Sequence, residues 1–436
     1  MSRRTIRLTP SRLPDEPRQR VFGFVERSRR LRRRFKFAIL AATTLIVAGL
    51  LIGNPHGRDL AARTRDASKR LARRAFGLPT PRAEIEAATR RGRSLAVADV
   101  GRRDREDFPN MDEPIRRLFR YAGSDPDHGL LRWGNYDQTL LLPSTVFEAD
   151  DSGRSYRLRP GVRSIWIRNV SPRNAPLTFL LVPDRPELAE IARGTDGAIV
   201  PGSVQTTNSW GLRGPEPDPS APLRGIVLGD SFMQGLFIDD DHAPPELLRR
   251  RLEDQLGTKV SILNTGHLGY SPEQYYHTLI EYVDRFKPGF VVASLFANDF
   301  GGISQASRGE GDWEEGRYWL GRISQFCRSR RLIPLFVPAP MERQLSGRRR
   351  AGFYPGMISN VLEHGSQSYL DPIEAFVERN MAMMIEADRA GRRPSTSPLY
   401  NGVIGDGHFS AIGADLWAEV VARRLTLLLE RRRGAE

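Results

Sequence analysis

The stretch IVLGDSFMQG, residues 226–235, reads as a short buried strand from Ile226 to Gly229, a polar pair, Asp230 and Ser231, and the first turn of a helix. Working outward from it, the apolar runs GIVLGD, VSILN, FVVASLF and LIPLFVP alternate with helical segments such as PELLRRRLEDQL and PEQYYHTLIEYVDRF. A weaker run, SQSYLD, follows, and a long helix from about Ala411 to Arg431 closes the chain. Short apolar strands alternating with helices specify βαβ units, right-handed crossovers and a parallel sheet covered on both faces. Ligands of such sheets bind outside the carboxyl ends of the strands. The polar residues at those ends are therefore the candidate site.

Four segments qualify: Gly229-Asp230-Ser231; NTGHLGYS, Asn264 to Ser271; FANDFGG, Phe296 to Gly302; and GDGHFS, Gly405 to Ser410. A serine is a weak nucleophile until a base takes its proton. His408 is the candidate base, with Asp406 to hold its tautomer. The intermediate of acyl transfer needs donors aimed at its oxyanion. The Ser231 N–H at a helix N-terminus, a glycine N–H in NTGHLGYS and the Asn298 amide can supply them. Each segment alone also fits a bland role, since Asp and Ser cap helices and glycines make turns. Four of them in this order at successive strand ends favour the catalytic reading.

With these residues the sequence resembles the SGNH (GDSL-type) hydrolases over about 210 residues, from Arg224 onward. The resemblance implies a three-layer α/β/α sandwich of flavodoxin-like type and ester or acyl chemistry. It implies Ser231 as nucleophile, His408 as base, and an oxyanion hole of Ser231, Gly269 and Asn298. Gly269, five residues after Asn264, matches better than Gly266. The commonest family spacing puts the acid three before the histidine, which here is Gly405. The acid instead falls on Asp406, a spacing found in relatives that act on exopolysaccharides, with Asp371 the weaker substitute. The approach TNSWGLRGPE resembles a segment upstream of the serine in membrane-anchored bacterial members, which puts Asn208, Trp210 and Arg213 on one lip of the cleft.

The formal charge of +14 suggests an anionic partner until it is located: twelve Arg and one Lys against three acids in residues 1–36 account for ten of the fourteen charges. No nucleic-acid motif accompanies them. Behind that tail, Phe37 to Gly53 is uncharged and spans about 26 Å as a helix, close to a bilayer core. We expect residues 1–36 to be a cytoplasmic tail and 37–53 an uncleaved transmembrane anchor, with the rest outside by the positive-inside bias. Cys327 is the only cysteine, so no internal disulfide and no lipoprotein anchor are expected. Residues 54–139 read as a basic helical spacer, 140–221 as a small β-rich module, and 222–436 as the hydrolase domain.

The run Asp239, Asp240, Asp241, His242 reads as a solvated loop rather than a metal site, and His267 and His277 as surface or packing residues. No metal or cofactor is expected. The Met-rich stretch 380–398 reads as core helix plus loop, with a lid as the minority alternative. The expected function is a serine esterase or O-acyltransferase on acyl esters, foremost acetyl esters of cell-surface or exported glycans. The alternatives are a lysophospholipase or thioesterase and a non-catalytic polysaccharide-binding scaffold.

Overall fold

Val260–Asn264 and Phe290–Leu295 are buried at every position, a pattern that only a sheet covered on both faces permits. The computed structural model describes residues 113–123, 131–133, 140–150, 152, 154–169, 179–194, 199–299, 313–345, 354–355, 358, 368–392, 396–401 and 407–434. Helices are α1 Glu113–Ala122, α2 Pro186–Arg193, α3 Ser231–Gln234, α4 Pro244–Leu256, α5 Pro272–Phe286, α6 Trp313–Ser329, α7 Ile373–Arg389 and α8 Ala411–Arg433. Strands are β1 Leu131–Trp133, β2 Leu140–Leu142, β3 Phe147–Asp150, β4 Ser155–Leu158, β5 Arg163–Asn169, β6 Phe179–Pro183, β7 Ile199–Thr206, β8 Leu223–Leu228, β9 Val260–Asn264, β10 Phe290–Leu295 and β11 Ile333–Pro338.

The central sheet has the order β11-β10-β8-β9, and every pairing in it is parallel. Tyr369, in the weak run SQSYLD, adds a one-residue parallel bridge to Phe336 beyond β11. In order of sequence this is a 2-1-3-4-5 sheet, the flavodoxin-like doubly wound arrangement. The crossover direction reverses between β8 and β10. The crevice at their carboxyl ends is thus the switch point, where ligands of such sheets bind.

Local chemistry sets the helix ends. Pro245 lies in the first turn of α4, and Gly257 ends it in the left-handed conformation that a Cβ disfavours. Ser271 and Gln274 form a capping box on α5, with Pro272 at its first position. Helix α4 packs on α8 and α5 on α6. Right-handed crossovers place the helices of a 2-1-3-4-5 sheet on opposite faces, giving the α/β/α layers.

Ahead of the sheet lie β1–β2, the hairpin β3–β4 and the antiparallel sheet β6-β5-β7. This part has its own core of Leu118, Phe119, Ala122, Ile167, Leu180, Val182, Leu188 and Ile191, shared by α1, α2, β5 and β6. Residues 1–112 lie outside the described residues, and with them the expected tail, the anchor at 37–53 and most of the spacer. Among the described residues no helix is long and apolar enough to cross a membrane.

The Met-rich stretch departs from expectation. Residues 380–389 are helical, but α7 buries only Phe376, and Met381 and Ile385 are exposed. The helix meets the body through Phe376 against Phe409 and Tyr400, an ion pair of Arg379 with Glu419 at 3.8 Å, and Asn380, whose side-chain oxygen accepts from Ser397 Oγ at 2.6 Å. It is not a core helix.

Candidate active site

Strand β8 ends at Leu228, and the chain turns through Gly229 and Asp230 into α3. Asp230 caps that helix, its carboxylate accepting from the Phe232 N–H at 2.9 Å. Ser231 is therefore held on a tight turn at the switch point, and it is 4% exposed. Helix α3 is only four residues long and ends at Gly235 in the left-handed region. A single turn has little macrodipole, so the expected contribution of a helix terminus reduces to local N–H groups. Neither the Ser231 nor the Gly269 amide donates to a backbone carbonyl among the described residues.

His408 arrives from 177 residues away, and its Nε2 lies 2.7 Å from Ser231 Oγ. The segment carrying it is fixed on both sides. Asn401 N–H donates to the His408 carbonyl at 2.8 Å, and Ser410 caps α8 through Gly413 N–H at 3.2 Å. The imidazole stacks on Phe232, with centroids 4.6 Å apart and planes at 24°. Burial by itself takes the His408 pKa down to about 4, so the ring is neutral at pH 7 and its Nε2 lone pair can accept the serine proton. The proton then resides on Nδ1. That atom is buried with no hydrogen-bond partner among the described residues. A buried orphan donor is costly, so the site is built for an acceptor at Nδ1. Asp406, the expected acid, lies outside the described residues, as does Gly405.

Asp371, the weaker substitute, caps α7 by accepting from Ile373 N–H at 3.0 Å. A carboxylate that sequence reasoning missed stands beside Gly407, the residue before the histidine. Glu342, in the turn after β11, accepts from Ser397 N–H at 2.7 Å. A Cβ on Gly407 would lie 3.0 Å from its other oxygen. No spacing pattern links residues 342 and 407, so only the fold reveals it.

Asn298 sits in the turn after β10, its amide beside the Asp230 carboxylate. The next residue, Asp299, accepts from Tyr275 Oη at 2.9 Å and from Phe296 N–H at 2.8 Å. Burial raises the Asp230 pKa to about 7. Burial, and then the nearby Asp230 charge, push Asp299 well up. Two buried carboxyls thus bracket the Asn298 turn, and Asp230 serves as the cap of α3.

The loop 264–271 lies across α3. Gly266 packs so closely that a Cβ there would fall 2.4 Å from Gln234 N. Gly269 has φ +75°, which a side chain disfavours. Gln234, fully buried, accepts from Leu268 N–H at 2.6 Å through its side-chain oxygen and donates to Gln205 at 3.1 Å. His267 is a packing residue: Nδ1 lies 3.1 Å from the Thr265 carbonyl, and the ring stacks on Tyr270 at 4.5 Å.

The expected lip is corrected. Arg213 is 1% exposed and donates to the carbonyls of Gln234, Gly235 and Ile238 and to Asp240. It braces the turn behind the nucleophile. The Asn208 side chain closes its own turn on Trp210 N–H, Leu212 N–H and the Pro215 carbonyl. Trp210 stacks on Tyr282 in the second half of α5, with the Arg285 guanidinium 3.4 Å over the ring. Conformational demands of the fold consume all three. Asp239 and Asp240 accept from Val204 and Thr206 N–H, tying β7 to the same turn. A separate open groove lined by Glu216, Asp218, Asp241, Glu246, Arg249 and Lys259 holds none of the candidate catalytic residues.

A serine hydroxyl held against a buried neutral histidine at the switch point of a doubly wound parallel sheet is an arrangement that can carry nucleophilic catalysis. No protein-family model matches the sequence, and no curated protein matches it. Among solved structures, a lipolytic protein of the G-D-S-L family from Desulfitobacterium hafniense DCB-2 is similar at 16% identity, over 46% of this chain and 98% of its own, with a TM-score of 0.31. The acetyl xylan esterase AlAXEase is similar at 17% identity, over 47% and 99%, with a TM-score of 0.35. A two-domain esterase active on acetylated mannans is similar at 15% identity, over 47% of this chain and 49% of its own, with a TM-score of 0.35.

Proposed function

We propose that this protein is a serine esterase or O-acyltransferase. The observation that carries the reading is the 2.7 Å contact between Ser231 Oγ and His408 Nε2. Ser231 Oγ attacks the ester carbonyl while its proton passes to His408 Nε2. The oxyanion is held by the Ser231 and Gly269 amides and the Asn298 side chain. Collapse of the intermediate expels the alcohol, which takes the proton back from His408. Water or a second alcohol then attacks the acyl-enzyme by the same route in reverse, giving hydrolysis or transfer. Asp406 is the acid that receives the His408 Nδ1–H.

The proposed substrate is a short acyl ester on a carbohydrate, the kind of compound named for the xylan and mannan esterases. A single anchor at 37–53 with the catalytic part outside the cytoplasm is the proposed placement. A fluorophosphonate probe should label the protein, and Ser231→Ala should abolish both labelling and hydrolysis of p-nitrophenyl acetate. Activity unchanged in that variant would sink the mechanism. A panel of p-nitrophenyl acetate, a long-chain ester and an acetylated glycan separates the proposed substrate from a lipid ester. A phosphatase fused to the C-terminus should be active only if that end is exported.

A further inference from the structure

Among the described residues strand β4 pairs with β3, and its other edge offers its backbone groups to side chains. Side chains from the loop 264–271 and the start of α5 meet that edge. Gln274 donates to the Arg154 carbonyl at 3.1 Å, Tyr270 Oη donates to the Tyr156 carbonyl, and His267 Nε2 accepts from Leu158 N–H at 3.4 Å. The fourth contact runs the other way: Tyr156 Oη donates to the Leu268 carbonyl. Tyr156 and Tyr270 thus clasp one another's backbone neighbourhood, with ring centroids 5.3 Å apart. Both rings are buried, at 1% and 2% exposed.

The Leu268 carbonyl and the Gly269 N–H belong to one planar trans peptide, so they point in opposite directions. Holding the carbonyl fixes where the N–H is aimed. The preceding peptide is held independently, by Gln234 on the Leu268 N–H. Gly269 needs such restraint, because a glycine at φ +75° has no Cβ to limit rotation of its neighbouring peptides. An acceptor bond at the carbonyl also polarises the peptide and strengthens its N–H as a donor.

We propose that Tyr156, in the β3–β4 hairpin ahead of the catalytic sheet, is a positioning residue for the oxyanion hole, acting through the Leu268–Gly269 peptide. This rests on the esterase reading above, in which the Gly269 amide receives the oxyanion. It gives the β-rich part a role in catalysis: its edge strand sets the direction of one oxyanion donor.

The test compares Tyr156→Phe with Tyr270→Phe in the full-length protein. Each removes one hydroxyl of the same buried clasp, but only the first touches the Leu268–Gly269 peptide. For Tyr156→Phe, kcat on p-nitrophenyl acetate should fall about 10- to 100-fold with KM changed less than about threefold, less than loss of a whole oxyanion donor costs. The Ki of a boronic acid forming a tetrahedral adduct on Ser231 should rise by a similar factor. Tyr270→Phe should lower Tm comparably and leave kcat and Ki within about threefold. Equal kcat and Ki in wild type and Tyr156→Phe would overturn the proposal. Equal losses in the two variants would overturn it too, as would a Tyr156→Phe that fails to fold while Tyr270→Phe folds, because the clasp is then structural only. A wild type inert to the probe, or a Ser231→Ala that stays active, instead removes the esterase reading itself.

Discussion

Replacing Asp406 by Asn tests the orphaned edge of His408. Burial alone takes the imidazole from its ordinary 6.5 to about 4. That shift is worth about 3 kcal/mol against the imidazolium, or a few hundredfold in rate if nothing offsets it in the transition state. A carboxylate accepting the Nδ1–H supplies the offset and raises the pKa again. The base works only when neutral, so activity is lost as pH falls through the folded pKa. Wild type should therefore show an acid limb in kcat/KM well above pH 4. Asp406→Asn should move that limb down toward about 4 while the plateau falls on the order of 100- to 1,000-fold. The assay is kcat/KM for p-nitrophenyl acetate from about pH 4 to 9. An unchanged limb with a plateau within threefold of wild type would refute the role. Glu342→Gln is the informative partner, since a loss there and not at 406 moves the acid to Glu342.

Three further outcomes follow from the same geometry. Asn298→Ala should cost about 10²–10³ in kcat with a smaller change in KM, read by steady-state kinetics, because it removes one of the proposed oxyanion donors. His267 is buried and neutral with its pKa lowered to about 4 by burial. The unfolded chain binds more protons between that value and 6.5, so this group costs stability as pH falls through the window, about 2 kcal/mol by about pH 5. Asp230, raised to about 7, and Asp299, also raised, act with the opposite sign there. The prediction is therefore on the difference: His267→Gln should lose less Tm than wild type between about pH 7 and 5 in thermal melts, and parallel curves would contradict it. Gly266→Ala should destabilise by roughly 2–4 kcal/mol in urea, because its Cβ meets the backbone of α3, which cannot move without moving Ser231.

Much of the fold was legible in the chain because its signals are local. The apolar runs at 260–264, 290–295 and 333–338 are the strands, and PELLRRRLEDQL and PEQYYHTLIEYVDRF are helices ended by their own Pro, Ser and Gly residues. Ser231 and His408 were legible for the same reason, each standing at an element boundary that a Cα-level pattern can locate. The Met-rich stretch was not, since a helical pattern does not say what packs against it, and only Phe376 of that helix became buried.

Order along the chain determined which polar residues reach the carboxyl ends of the strands, since alternation of strand and helix dictates a parallel sheet. Which of those residues face one another was a tertiary matter. Arg213 was drawn inward because four backbone carbonyls of the 204–238 region needed a donor. Glu342 came beside Gly407 across 65 residues with no local spacing to announce it. Tyr156 met Leu268 because a strand edge and a loop carbonyl far apart in sequence could satisfy each other only when brought together. Hydrogen-bond partners distant in sequence are chosen by what the packed chain leaves unsatisfied, and that is known only after it has folded.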